Sequence, residues 1–150
     1  MKFESIDEIL DYAIQREQDA ADFYTELAEK MEKPAMKQVF LGFASEEMGH
    51  KKKLIAVKEG NKLDLPARAI MDLKIGDYLV DPEPTTNLGY QDALILAMKS
   101  EKLAYRLYTD LADAAEDPDM KQLFLALASE EAKHKLRFEV EYDEEVLREN

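Results

Sequence analysis

Three observations in the sequence predict an all-α protein. Apolar residues recur three and four apart through four long segments, and Ala, Leu, Glu and Lys, all good helix formers, fill the positions between them. The stretch from Ala13 to Lys51 also returns without gaps as Ala97 to Lys135, with about half of the aligned positions identical. Each landmark moves by the same 84 residues: Glu17 to Glu101, Tyr24 to Tyr108, Pro34 to Pro118, Glu47 to Glu131 and His50 to His134. The chain therefore reads as two copies of one helical hairpin. Two copies are too few for a solenoid, which needs at least about three to bury a continuous core, but they can pair as a four-helix bundle.

The elements follow in order. Ser5, with Glu8 three residues on, has the form of a capping box and opens a first helix that runs to about Lys33. Pro34 suits the first turn of a second helix, which ends at Gly60. A third helix starts near Asn87 and runs to about Glu116, and Asp117-Pro118 repeats the cap-then-proline signal for a fourth that continues close to the C-terminus. The helix pairs thus occupy about 5–60 and 87–148 of a single domain, 1–150. Between them lies a crossover, about 61–88, interrupted by Pro66, Gly76, Pro82 and Pro84, in which Ala69 to Ile75 could form one or two helical turns. A crossover of that length can carry the chain back along helices of ~40 Å at 1.5 Å per residue, which would relate the hairpins by an approximate two-fold axis.

Composition narrows the function. The 150 residues hold 20 Lys and Arg against 33 Asp and Glu, a net charge of −13, so nucleic acid and anionic membranes are not expected partners. Without cysteine there is no disulfide, thiol nucleophile or sulfur-ligated metal, and any metal must bind through oxygen and imidazole. The first eight residues carry no apolar signal core and no stretch approaches a membrane span, so a cytoplasmic location is expected.

The chemistry lies in the stripes that face the core. Traced at three- and four-residue steps, the first helix reads Leu10, Ala13, Glu17, Ala20, Tyr24, Leu27, and the third reads Leu94, Ala97, Glu101, Ala104, Tyr108, Leu111. The second and fourth give Phe40, Phe43, Glu47, His50, Leu54 and Phe124, Leu127, Glu131, His134, Phe138. A buried unpaired carboxylate costs several kcal/mol, and converging carboxylates repel one another. No Lys or Arg lies in the stripes, whereas the only two histidines do. A pair of metal ions resolves the conflict, since carboxylate and imidazole suit iron, manganese or zinc. Glu17 and His50 each lie about 16 residues from the turn at 33 and 34, so antiparallel packing sets them level, roughly 25 Å from it. Glu47 and His50 share a helix face, as do Glu131 and His134. Glu46 and Glu130, one residue off the stripe, read as helix-face charges, and Lys51-Lys52-Lys53 as a solvated face.

One Glu from each of two helices plus Glu-x-x-His from the other two is the di-metal pattern of ferritin-like bundles. With Glu17 followed by Tyr24, Glu46-Glu47-Met48-Gly49-His50, Glu101 followed by Tyr108, and Glu130-Glu131-Ala132-Lys133-His134, the sequence resembles the rubrerythrin branch of that superfamily over nearly all of the chain except the crossover. The resemblance implies two iron ions per chain, bridged by Glu47 and Glu131. Glu17 and His50 would complete one, and Glu101 and His134 the other. Tyr24 and Tyr108 admit two roles, apolar bulk in the core and, as the resemblance implies, orientation of a ligating carboxylate. Two features depart from the family. Rubrerythrins proper have a four-cysteine rubredoxin domain, so the expected electron donor here is a separate protein such as rubredoxin. They also have a further Glu where this chain has Ala104, which leaves a symmetric ligand set.

The expected activity is reduction of hydrogen peroxide or dioxygen at a di-iron centre with electrons from an external donor. A ferroxidase, for which ferrous iron is the substrate, and a non-catalytic metal-stabilised dimerisation or sensing module are the alternatives. Resemblance implies a homodimer.

Overall fold

The computed structural model describes residues 3–61, 63–73, 78 and 89–149. Five helices account for nearly all of them, and no strand occurs among the described residues. The chain divides into two compact units, Phe3–Leu65 and Pro66–Asn150.

In the first unit, α1 (Ile6–Glu29) packs against α2 (Pro34–Gly60). The capping box forms with a displacement. The Glu8 amide donates to Ser5 Oγ at 3.1 Å as expected, but the Glu8 carboxylate reaches past Ser5 to accept from the Glu4 amide at 2.6 Å. The helix ends at Glu29, sooner than the expected Lys33, because Lys30 caps it and a turn must intervene before Pro34. Lys33 is extended at φ −81°, ψ 118°, as a residue before proline must be, and Pro34 occupies the first helical turn. Gly60 closes α2, while the left-handed residue is Asn61, at φ 50° and ψ 36°.

Alanines on α1, Ala13, Ala20, Ala21 and Ala28, are all buried among the larger Ile9, Leu10 and Leu27. From α2, Met36, Phe40, Leu54 and Val57 complete that core. Phe3, ahead of α1, is buried and meets Tyr12 edge-on with ring centres 5.7 Å apart. At the surface, Lys58 Nζ lies 2.6 Å from Asp11 Oδ1, an exposed pair worth little to stability.

The second unit contains α3 (Ala67–Asp72), α4 (Tyr90–Ala114) and α5 (Pro118–Glu149), with α4 packed on α5. The helical turn expected between Ala69 and Ile75 is α3, which starts two residues earlier, behind Pro66; Lys74 and Ile75 lie outside the described residues. So does the start expected near Asn87, and Gly89 is the N-cap of α4. That helix ends two residues short of Glu116 with Ala115 extended, and Asp117 caps α5 by accepting from the Asp119 amide at 3.2 Å. No basic residue lies in the last turn of α4. Lys121 of α5 supplies the charge instead, donating to the carbonyls of Ala112 at 2.9 Å and Asp113 at 3.3 Å. Tyr78, from the connecting segment, is buried and donates to Asp110 Oδ2 at 2.7 Å.

Among the described residues no helix is long and apolar enough to cross a membrane.

Candidate metal centre

Every predicted ligand is buried. Glu17, Glu47, Glu101 and Glu131 have no exposed surface, and His50 and His134 retain 2% each. Apolar neighbours one turn away on each helix, such as Ala13 and Ala20 around Glu17 and Leu54 after His50, are buried with them.

In the first unit, α1 contributes Glu17 and α2 contributes Glu47 and His50. Their closest ligand atoms lie within 4.8 Å of one another. His50 Nδ1 is 3.6 Å from Glu17 Oε2 and 3.3 Å from Glu47 Oε1, which places Glu17 and His50 level as their equal distance from the turn requires. Burial pushes the Glu17 carboxyl above the usual carboxylate range. The nearby Arg16 charge and a hydrogen bond with His50 oppose that rise, and the Glu47 charge adds to it.

The second unit repeats the triad. Glu101 of α4 and Glu131 and His134 of α5 offer ligand atoms within the same 4.8 Å, with His134 Nδ1 3.7 Å from Glu101 Oε1.

The tyrosines expected behind the carboxylates are both buried, at 1% exposure for Tyr24 and none for Tyr108. Their surroundings differ because Phe43 is replaced by Leu127 in the second copy. Tyr24 meets Phe43 edge-on at 6.3 Å, and Tyr108 stacks on Phe124 at 6.2 Å. Off the stripe, Glu46 is exposed and Glu130 half-buried, and Lys52 and Lys53 are exposed. Lys51 is half-buried and donates to Gln18 Oε1 at 2.6 Å.

Two features escape a reading of the stripes alone. Arg16 lies outside the α1 stripe, yet its long side chain folds back so that Nη1 donates to Glu47 Oε2 at 2.6 Å and Glu17 Oε2 at 3.3 Å. A signal was present, because the residue 84 positions on is Ser100, one of the charge changes between the copies. The second is Glu141, 4% exposed on α5, which accepts from the Tyr90 hydroxyl at 2.9 Å. Carrying the α5 stripe one step beyond Phe138 would have reached it.

Whether the residues suit iron is decided by the donor set. Two carboxylates and one imidazole per triad, fully buried and gathered within coordination reach, match the oxygen and nitrogen ligands that hold divalent iron, and manganese or zinc shares the preference.

The chain is similar in fold to solved proteins. A protein of Thermotoga maritima described as ferritin-like and diiron-carboxylate matches with a TM-score of 0.78 at 22% identity, over 97% of this chain and 99% of its own. A hypothetical protein of Pyrococcus furiosus matches with a TM-score of 0.71 at 27% identity, over 93% of this chain and 89% of its own. The chain thus has the ferritin-like all-α fold. The family model for rubrerythrin matches residues 8–142, and the chain belongs to the rubrerythrin family. None of the curated proteins matches it.

Proposed function

We propose that the residues of the two triads would hold two iron ions, with Glu17, Glu47 and His50 offering ligands in one unit and Glu101, Glu131 and His134 in the other. The protein uses that centre to reduce hydrogen peroxide or dioxygen. The observation that carries this reading is the complete burial of four glutamates beside two histidines in two matched triads, an arrangement that is costly without cations. Membership of the rubrerythrin family supports the choice of iron.

When bound, two ferrous ions would supply the two electrons that, with two protons, reduce hydrogen peroxide to two molecules of water, and an external donor protein such as rubredoxin would replace those electrons. The chain's own residues set the conditions. The glutamates provide charge that tolerates both oxidation states, and His50 and His134 fix the orientation of each triad from the neighbouring turn of α2 and α5. Burial keeps bulk water out. Tyr24 and Tyr108, both buried, share a helix face with Glu17 and Glu101, seven residues away, and would serve as core bulk or orient the ligating carboxylates. We place the protein in the cytoplasm as a homodimer, which light scattering would check.

A second reading is a ferroxidase, favoured by the net charge of −13, which would draw ferrous ions to the surface. Anaerobic ferrous titration followed by mixing with peroxide or with oxygen separates the two. Rapid oxidation by peroxide with repeated turnover on added reductant supports the peroxidase. Rapid reaction with oxygen and release or storage of ferric iron supports the ferroxidase, and reaction with neither leaves a metal-stabilised structural module. Fewer than about two irons per chain, or undiminished binding in Glu47→Ala and Glu131→Ala, would overturn the di-iron reading.

A further inference from the structure

Among the described residues the exposed large hydrophobic side chains are Leu41, Tyr105, Leu125, Leu136, Val140 and Leu147, and four of these six belong to α5. The four lie in a row. Leu125, Leu136 and Leu147 follow one another at intervals of 11 residues, which is three helical turns with a drift of only ~20°. Val140 stands one turn beyond Leu136 on the same side, and the row extends over ~33 Å at 1.5 Å per residue. Leu136 is 61% exposed and Leu147 75%. Single leucines at a surface are ordinary, but a continuous apolar row marks a place where something docks. The packing of the hairpin does not require it, because in register on the first copy stand Lys52 for Leu136 and Ala56 for Val140, while Leu63, the counterpart of Leu147, falls beyond the end of α2.

Resting on the homodimer reading above and independent of the metal, we propose that this face of α5 is the interface with a second copy of the chain. The two α5 helices lie antiparallel, with Leu136 on the two-fold axis. The row is symmetric about that residue: Leu125 of one copy meets Leu147 of the other, and Ala132 meets Val140. Every contact then occurs twice, as a two-fold interface demands. Charge selects the direction. Antiparallel pairing sets the exposed Lys133 of one copy opposite Glu139 of the other, which also pairs with Lys135 of its own helix, and brings Lys133 within a turn of the exposed Asp143. Parallel pairing would set Lys133 against Lys133 and Asp143 against Asp143, with the helix dipoles aligned.

The test is sedimentation equilibrium of the full chain across a broad range of protein concentration. The wild type is expected to be a dimer, and Leu136→Lys should raise its dissociation constant at least about tenfold, because two ammonium groups would meet on the axis. That variant gives α5 the residue α2 already has in register, so its helicity should match the wild type by circular dichroism. The chain has no cysteine, which lets oxidation report the direction of pairing. Leu136→Cys should form a disulfide-linked dimer on its own, whereas Leu125→Cys and Leu147→Cys should link only when the two variants are mixed. A monomeric wild type would overturn both the homodimer and this face. A dimer indifferent to Leu136→Lys and not linked through Leu136→Cys would overturn this face while leaving the homodimer, and self-linkage of Leu125→Cys would overturn the antiparallel arrangement. None of these outcomes bears on the iron centre.

Discussion

The Tyr90 hydroxyl donates a 2.9 Å hydrogen bond to Glu141 Oε1, tying the first turn of α4 to the C-terminal part of α5. Burial pushes the Tyr90 phenol well above its ordinary value near 10, and the hydrogen bond to Glu141 and the charges of Glu141 and Glu145 push the same way against Arg137. A folded-state value raised above the unfolded one means that the folded protein holds this proton more tightly, so the stability linked to it is complete below about pH 10 and declines as pH rises beyond. Urea unfolding at pH 8 and pH 10.5 should show that decline, and Tyr90→Phe should reduce it. At neutral pH the same substitution should cost about 1–3 kcal/mol, because Glu141 stays buried without its donor. An unchanged alkaline slope in Tyr90→Phe would count against this account.

Iron should stabilise the fold as well as serve it. A ligand that binds only the native state adds about 2.7 kcal/mol when its free concentration is 100 times the dissociation constant. Calorimetric scans of the ferrous-loaded protein, before and after chelation, should therefore show a drop in thermal midpoint on metal removal. Glu47→Ala should lose most of that difference, and a midpoint indifferent to metal would contradict the proposed centre.

Gly42 is exposed in the middle of α2, its φ is not positive, and a Cβ built on it meets nothing within 4 Å. The position in register on α5 is Ala126. Gly42→Ala should therefore stabilise the protein by about 0.5–1 kcal/mol, the difference in helix propensity, with metal binding unchanged. Chemical denaturation of the metal-free form reads this directly; a loss of stability would show that the glycine has a contact the structure lacks.

Ser5 is the N-cap of α1, and its Oγ accepts from the Glu8 amide. Ser5→Ala should cost about 1 kcal/mol, and Ser5→Asp should recover most of it. Amide exchange in the first turn of α1 should rise in the alanine variant only.

Much of this was legible in the sequence because helices impose strict arithmetic. Glu17, Glu47, His50 and their copies could be placed on interior faces from three- and four-residue steps, and the 3.6 Å approach of His50 to Glu17 follows from two helices of equal reach on either side of Pro34. Helix ends were less legible. Glu29 is the last residue of α1 because the Lys30 to Lys33 turn needs residues that periodicity alone assigns to the helix. Arg16 was hidden for a different reason: a stripe describes where a Cα points, while a side chain of that length can carry its charge to the adjacent face. Tyr90 and Glu141 were hidden because their pairing joins positions 51 residues apart that the repeat does not duplicate.

The 84-residue duplication gives the protein an experimental advantage of its own. Any change in one hairpin has a native counterpart in the other, synthesised in the same molecule, at the same concentration and under the same solvent conditions. Exchanging residues between positions 16 and 100, 42 and 126, or 43 and 127 converts one half toward the other and uses each as the control for its twin. Divergence since the duplication can then be read position by position as a difference in metal binding, stability or packing, without recourse to a second protein.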